Sequence, residues 1–491
     1  MNLAEYTAYD GLGLAGLVKR RDVTAKELGR LMLAAVEQVN PYLNAVIQTY
    51  ADRVEATRAE DIPAGPFAGV PFLLKDIGPG EKGAIQEAGS RLCRGRVLHQ
   101  DSFLVERFRA AGLKILGRTT TPEMALSGST ESLLAGPTRS PWNPVTRAGG
   151  SSGGAAASVV AGIVPLAHAS DGAGSIRIPA AVCGLVGLKP SRGRVSLGPE
   201  LAEALQGMHL HFGLSRTVRD TAALLDAVAQ PAPGDPFIII QPQRPYLQEI
   251  GVPTGRLRIA WTRTSWQPGT ALHPEITPAL EKIVDLLEAM GHELTEVETL
   301  YDYEAFVNAI WLGWAWGFDI HLDDLAAALG RRINEETLEP VTLSLYHLAK
   351  GLTAAKMARA EETYNAIRRK IGQFFQRYDL LLTPTIAQLG DPIGKYSQNV
   401  TDVDFIGFFR RCDQSDMYLP FANLTGQPAI SLPLAHSAAG LPIGFQFVAR
   451  FGREDLLIRL ASALEAAFPW RQRTPPIHAG QLQETKELQY A

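Results

Sequence analysis

Residues 149–179 read GGSSGGAAASVVAGIVPLAHASDGAGSIRIP. The run opens on Gly149-Gly150-Ser151-Ser152-Gly153-Gly154 and closes on a second small-residue turn, Gly172-Ala173-Gly174-Ser175. Glycine accepts positive φ and lets another backbone approach closely, so this density marks chain shaped for chemistry or for a ligand. A flexible linker is polar and repetitive, whereas this run continues into Val159, Val160, Ile163, Val164 and Leu166 and reads as buried. Two hydroxyls, Ser151 and Ser175, are therefore expected on two tight turns inside the protein.

Gly149-x-Ser151-x-Gly153 satisfies the nucleophile-elbow pattern of α/β-hydrolases. The elbow needs a buried strand directly before it. Residues 141–148 carry Pro141, Asn143, Pro144 and Arg147 and do not read as one.

The longer pattern is more specific. GGSSGG, Ser175 followed by Ile176-Arg177-Ile178-Pro179, and Cys183-Gly184-Leu185-Val186-Gly187-Leu188-Lys189-Pro190 resemble the amidase signature family. Upstream, Gly69-Val70-Pro71-Phe72-Leu73-Leu74-Lys75-Asp76 is similar to the family's lysine segment. Downstream, Tyr378-Asp379-Leu380-Leu381-Leu382-Thr383-Pro384-Thr385 and Asn423-Leu424-Thr425-Gly426-Gln427-Pro428-Ala429 resemble further landmarks. The resemblance implies an α/β protein with one large mixed β-sheet covered by helices on both faces.

It also implies roles. Ser175 is the nucleophile, Lys75 the ultimate base, and Ser151, after a cis peptide bond from Gly150, the relay between them. The main-chain N–H groups of Gly172, Ala173, Gly174 and Ser175 form the oxyanion hole, with Gly172-Ala173 standing where the family usually has threonine and glycine. Ala125 and Ser127, in Thr119–Ser129, border the substrate cleft. Segments such as Glu106–Gly112 and Phe451–Leu457 point, within the family, to hydrolases of small linear or cyclic amides, nylon oligomers among them, and align Gly313 with a pocket cysteine.

The residues themselves support parts of this. Lys75 follows the apolar run Val70 to Leu74, where an ammonium is poorly solvated and its pKa falls toward a usable range. Ser152 is the competing hydroxyl, read as a turn residue, and Asp171 and Arg177 flank the turn as a structural pair. Trp311, Trp314 and Trp316 either pack in a core or wall an apolar pocket, and Trp311, Gly313 and Trp316 are taken as substrate contacts.

A net charge of −4, from 47 basic and 51 acidic side chains, gives no field that draws the protein to nucleic acid or an anionic membrane. A small-molecule amide is the expected partner, with a homodimer open. Cys93, Cys183 and Cys412 are odd in number and far apart, which speaks against a disulfide framework. Residues 1–9 lack the apolar core of a secretory signal, and the most apolar run, Ala155 to Ala169, is too short to span a bilayer. The expectation is a cytoplasmic enzyme. Ten histidines offer no H-E-x-x-H, and His209-x-His211 reads as incidental, so neither metal nor cofactor is expected.

The chain divides as a helical start (1–64), a signature core (65–230), a variable, mostly helical insertion (231–375) after the break PAPGDP, a core completion (376–470) and a tail (471–491). Thr24-x-x-Glu27 is a capping box for a helix to about Val39, ended by Asn40-Pro41. Asp101 caps a helix over 102–111, and Thr277-Pro278 opens another whose buried side includes Met290. Functionally, an amide hydrolase leads. A carbamate or ester hydrolase, an amidotransferase A-type subunit and a non-catalytic binding protein on the same scaffold are the alternatives.

Overall fold

The computed structural model describes residues 1–481, so the end of the expected tail, 482–491, lies outside the described residues. The strands are Val46–Thr49 (β1), Pro71–Lys75 (β2), Lys114–Thr119 (β3), Glu131–Ser132 (β4), Gly136–Pro137 (β5), Leu166–Asp171 (β6), Val186–Lys189 (β7), Leu210–Ser215 (β8), Arg258–Trp261 (β9), Glu293–Glu296 (β10), Leu380–Pro384 (β11), Ala429–His436 (β12) and Pro442–Ala449 (β13). Eleven of them form one sheet in the order β1-β3-β2-β6-β8-β7-β12-β13-β11-β9-β10, while β4 and β5 pair separately. The sheet is mixed: β2 runs parallel to both β3 and β6, β6 antiparallel to β8, and β9 parallel to both β10 and β11.

Strands β2, β6, β7, β8, β11 and β13 are buried along their whole length because both faces of the sheet are covered there, and the period of two sorts their side chains. In β11, Leu380 and Leu382 enter the larger hydrophobic core, whereas Leu381 enters the second. The second core is built largely from helices Tyr303–Ala315, Phe318–Leu329, Pro340–Lys350, Ala354–Arg377 and Phe405–Asp416. The expected α/β class is the one found.

Several local expectations need correction. The helix that Thr24 and Glu27 cap runs over Ala25–Leu43, straight through Asn40-Pro41. Pro41 falls in the last turn, so the one i→i−4 bond it cannot make is lost near the end of the helix, and the turn closes on Asn44 in the left-handed region with φ 50°. The helix at Phe103–Ala110 is capped by Ser102, whose Oγ accepts from the Val105 N–H at 3.2 Å. Asp101 instead accepts from the Lys82 N–H and from Arg109. The helix expected from Thr277 begins at Ile276, because Ile276 is fully buried and extends the Leu280, Ile283, Val284, Leu287 stripe by one turn. Its other end departs too: Met290 is exposed.

Candidate active site

Lys75 is the last residue of β2, a strand buried along its whole length. Its neighbour β3 pairs Lys75 with Thr119, and β6 lies on the other side, with Ala167 opposite Leu73. Lys75 is thus held on an interior strand with neighbours on both sides. Lys75 Nζ lies 2.6 Å from Ser151 Oγ and 3.0 Å from Ser170 Oγ, and all three residues are buried. Among the described residues no carboxylate lies within ion-pair distance of it. Loss of water pushes its pKa down to about 7, against a weaker upward pull from Asp171.

Three imidazoles lie behind the lysine. The Lys75 backbone N–H donates to His168 Nδ1 at 3.2 Å, which leaves the proton of neutral His168 on Nε2, 3.2 Å from His211 Nδ1. His209 stands edge-on to His211. Burial holds all three pKa values down, that of His209 at about 4, so the cluster adds no positive charge beside Lys75 near neutrality. Among the described residues no group of three His, Cys, Asp or Glu side chains is arranged to hold a metal ion.

Ser151 opens the turn before the helix Gly153–Val160, and the Gly150–Ser151 peptide bond is cis. No strand precedes it, unlike a nucleophile elbow. The glycines are demanded by crowding: a Cβ at Gly150 would sit 2.6 Å from Ser127 O, and one at Gly154 would sit 2.3 Å from Thr120 Oγ1. Ser152 Oγ donates to Ser170 O at 3.2 Å and accepts from the Ser170 N–H at 3.3 Å, so this hydroxyl ties the turn to β6.

β6 ends at Asp171, and the next four residues form the turn that carries Ser175, 9 % exposed. Asp171 organises this turn. Its Oδ1 accepts from the Gly174 N–H at 2.7 Å and its Oδ2 from the Ile176 N–H at 3.2 Å. Arg177 donates to both carboxylate oxygens at 3.0 Å and also reaches Asn423 Oδ1, Gln446 Oε1 and Leu419 O. Despite full burial, the Arg177 charge and these donors hold the Asp171 carboxyl far below the usual carboxylate range. One expectation changes as a result. The Gly174 N–H, expected among the oxyanion donors, is committed to Asp171.

The outlying contacts separate. Ala125 is partly exposed, with φ 59°. Ser127 spends its hydroxyl on Tyr396 O at 2.8 Å and on the Ser129 N–H at 3.0 Å. Trp311 is buried and stacked on Phe409 at 4.0 Å, Trp316 is 44 % exposed at the end of its helix, and a Cβ on Gly313 would strike Tyr364 Oη at 2.3 Å. Ser170, the His168–His211 pair and Asn423 escaped sequence reasoning as contributors. Asn423 stands in a recognised landmark, but nothing in its neighbours shows that its amide donates to Asp171 Oδ1 at 2.9 Å, some 252 positions away.

A model of the family described as Amidase matches residues 27–458. The chain belongs to the amidase family. This amidase is 37% identical over 488 residues to 6-aminohexanoate-cyclic-dimer hydrolase of Paenarthrobacter ureafaciens, covering 95% of this chain and 96% of that one. It is 32% identical over 476 residues to an acylamidase of Rhodococcus erythropolis, covering 94% and 96% of the two chains. A solved structure of 6-aminohexanoate cyclic dimer hydrolase complexed with substrate superposes with a TM-score of 0.91 at 34% identity, over 97% of this chain and 100% of the other. Family and relatives together make the chain an amide-hydrolysing enzyme. No helix among the described residues is long and apolar enough to cross a membrane.

Proposed function

We propose that this amidase cleaves small, fairly apolar linear or cyclic amides through Ser175, Ser151 and Lys75. The observation that carries the reading is the 2.6 Å contact between the buried Lys75 Nζ and Ser151 Oγ, with no carboxylate at ion-pair distance from the amine among the described residues. A lysine there is mostly neutral above about pH 7 and then has a lone pair to accept a proton. Ser175 Oγ attacks the amide carbon while its proton passes to Ser151 Oγ and the Ser151 proton passes to Lys75 Nζ. The oxyanion meets the main-chain N–H groups of Gly172, Ala173 and Ser175, donors that are fixed before the charge develops. Lys75 then returns a proton through Ser151 to the leaving nitrogen, the C–N bond breaks, and an ester on Ser175 remains. Water, deprotonated along the same route, releases the acid.

The relative's name supports an apolar amide substrate, because a 6-aminohexanoate unit is a methylene chain between amide groups. Esters and carbamates present the same carbonyl to the same hydroxyl and belong in the same screen. The test is product release from a graded series, ammonia or amine from amides, alcohol from esters and both amine and alcohol from carbamates, by the wild type and by Ser175→Ala, with mass spectrometry of the quenched enzyme. An acyl adduct on the peptide containing Ser175, and loss of turnover in a folded Ser175→Ala protein, are expected. Near-normal turnover by that variant overturns the assignment.

A further inference from the structure

We propose that Trp314 is the specificity-determining residue of this site: its indole walls the pocket beside the Gly172–Ser175 turn, and its unpaired N–H takes a neutral carbonyl carried on the acyl side of the substrate. The inference rests on the amide-hydrolase reading above and names the substrate class of that same site.

Of the residues in 311–316, Trp314 is the one that meets the turn. A carbon added to Gly172 would come within 3.0 Å of Trp314 Cζ2, 3.2 Å of Cη2 and 3.2 Å of Leu205 Cδ1. The glycine is therefore what allows the indole to lie against the main chain that supplies the oxyanion donors. Trp311 packs edge-on to Trp314 and Trp316 lies further along, but neither is among the nearest neighbours of Gly172. Trp311 is stacked on Phe409, Trp316 is at the surface, and Gly313 backs onto Tyr364, whose hydroxyl donates to Ala309 O at 2.8 Å and closes the space beside it.

Trp314 is 6 % exposed, and its Nε1 is buried without a hydrogen-bond partner among the described residues. A buried donor left unpaired is costly, and a buried indole N–H ordinarily finds an acceptor. Cζ2 is bonded to Cε2, which also bears Nε1, so the free N–H stands two bonds from the ring atom nearest the turn. An indole N–H only donates, which excludes an ammonium or any other pure donor as its ligand. Partly buried Ile77, Ala173 and Leu205 belong to the same hydrophobic cluster as Trp314. Such surroundings disfavour a carboxylate and accept a neutral carbonyl with methylenes on either side.

Calorimetry on the Ser175→Ala protein, with and without Trp314→Phe, tests this with two ligands of equal chain length: 6-acetamidohexanamide, which has a second carbonyl, and nonanamide, which has none. Phenylalanine keeps an aromatic wall and removes the N–H. The expected result is about a tenfold loss of affinity for the diamide and less than about a twofold change for nonanamide. Equal losses for both would reduce Trp314 to packing. No change for either, or no measurable binding of the diamide, would overturn the proposal. If the double variant does not fold, the indole N–H resonance of Trp314 in isotope-labelled Ser175→Ala protein decides: it shifts with the diamide and not with nonanamide, and an unmoved resonance overturns the proposal. Ammonia release from both amides by the wild type is followed separately. A flat binding comparison with normal hydrolysis defeats this inference alone, and a positive comparison with no hydrolysis defeats the amidase reading alone.

Discussion

Two buried charged groups stand close together at the centre of this protein and are treated in opposite ways. Arg177 and Asp171 are both fully buried, and each finds its counter-charge and its hydrogen bonds: Arg177 meets Asp171, Asn423, Gln446 and Leu419 O, while Asp171 also accepts from two main-chain N–H groups. Lys75 is equally buried, yet among the described residues its amine meets only the hydroxyls of Ser151 and Ser170, with neutral imidazoles behind its strand. Pairing fixes charge and shape; burial without pairing removes charge and leaves a base. The same desolvation acts on both, and the partner set decides which outcome follows.

The largest expected effect is at the unpaired site. Lys75→Arg keeps a cation that cannot accept a proton, so turnover should fall by about a hundredfold or more, as far as in Lys75→Met. An active arginine variant would show that position 75 supplies only charge. The two sites should also part in stability. Asp171→Asn leaves the Arg177 cation buried without its counter-charge and is expected to cost about 3–5 kcal/mol, read as a lowered melting temperature. Lys75→Met removes a poorly solvated amine and should leave melting unchanged or raised. If both substitutions destabilised alike, the contrast between paired and unpaired burial would fail.

The pH profile sharpens the comparison further. A lysine with its pKa lowered to about 7 is a base above that value and an ammonium below it. Acylation should therefore drop by about tenfold per pH unit on the acid side, and a limb placed near the usual lysine value would contradict the burial argument. The smallest effect belongs to Ser152, whose hydroxyl is used on Ser170 rather than on the lysine. Ser152→Ala is expected to cost about 1 kcal/mol of stability while keeping most of the turnover, and a loss matching Ser151→Ala would exchange the roles of the two serines.

What the sequence by itself determined is whatever depends on neighbours along the chain. The glycine turns, the capping box at Thr24 and Glu27 and the apolar run before Lys75 are all local, and the local motifs together carried the resemblance to the amidase signature family, which supplied the α/β class and the roles expected of Lys75, Ser151 and Ser175. Expectations failed locally only where a small choice was open, as when Ser102 rather than Asp101 reached the first free N–H groups of its helix. Tertiary structure decided everything that needs partners from far away: the pairing of Asp171 with Asn423, the imidazoles behind Lys75, the use of the Gly174 N–H, and which tryptophan meets the turn. A helix period shows that Trp311 and Trp314 share a side, and it leaves open what that side faces. That depends on Gly172, which lies more than a hundred positions earlier and meets the indole only because the sheet and the second core are packed together.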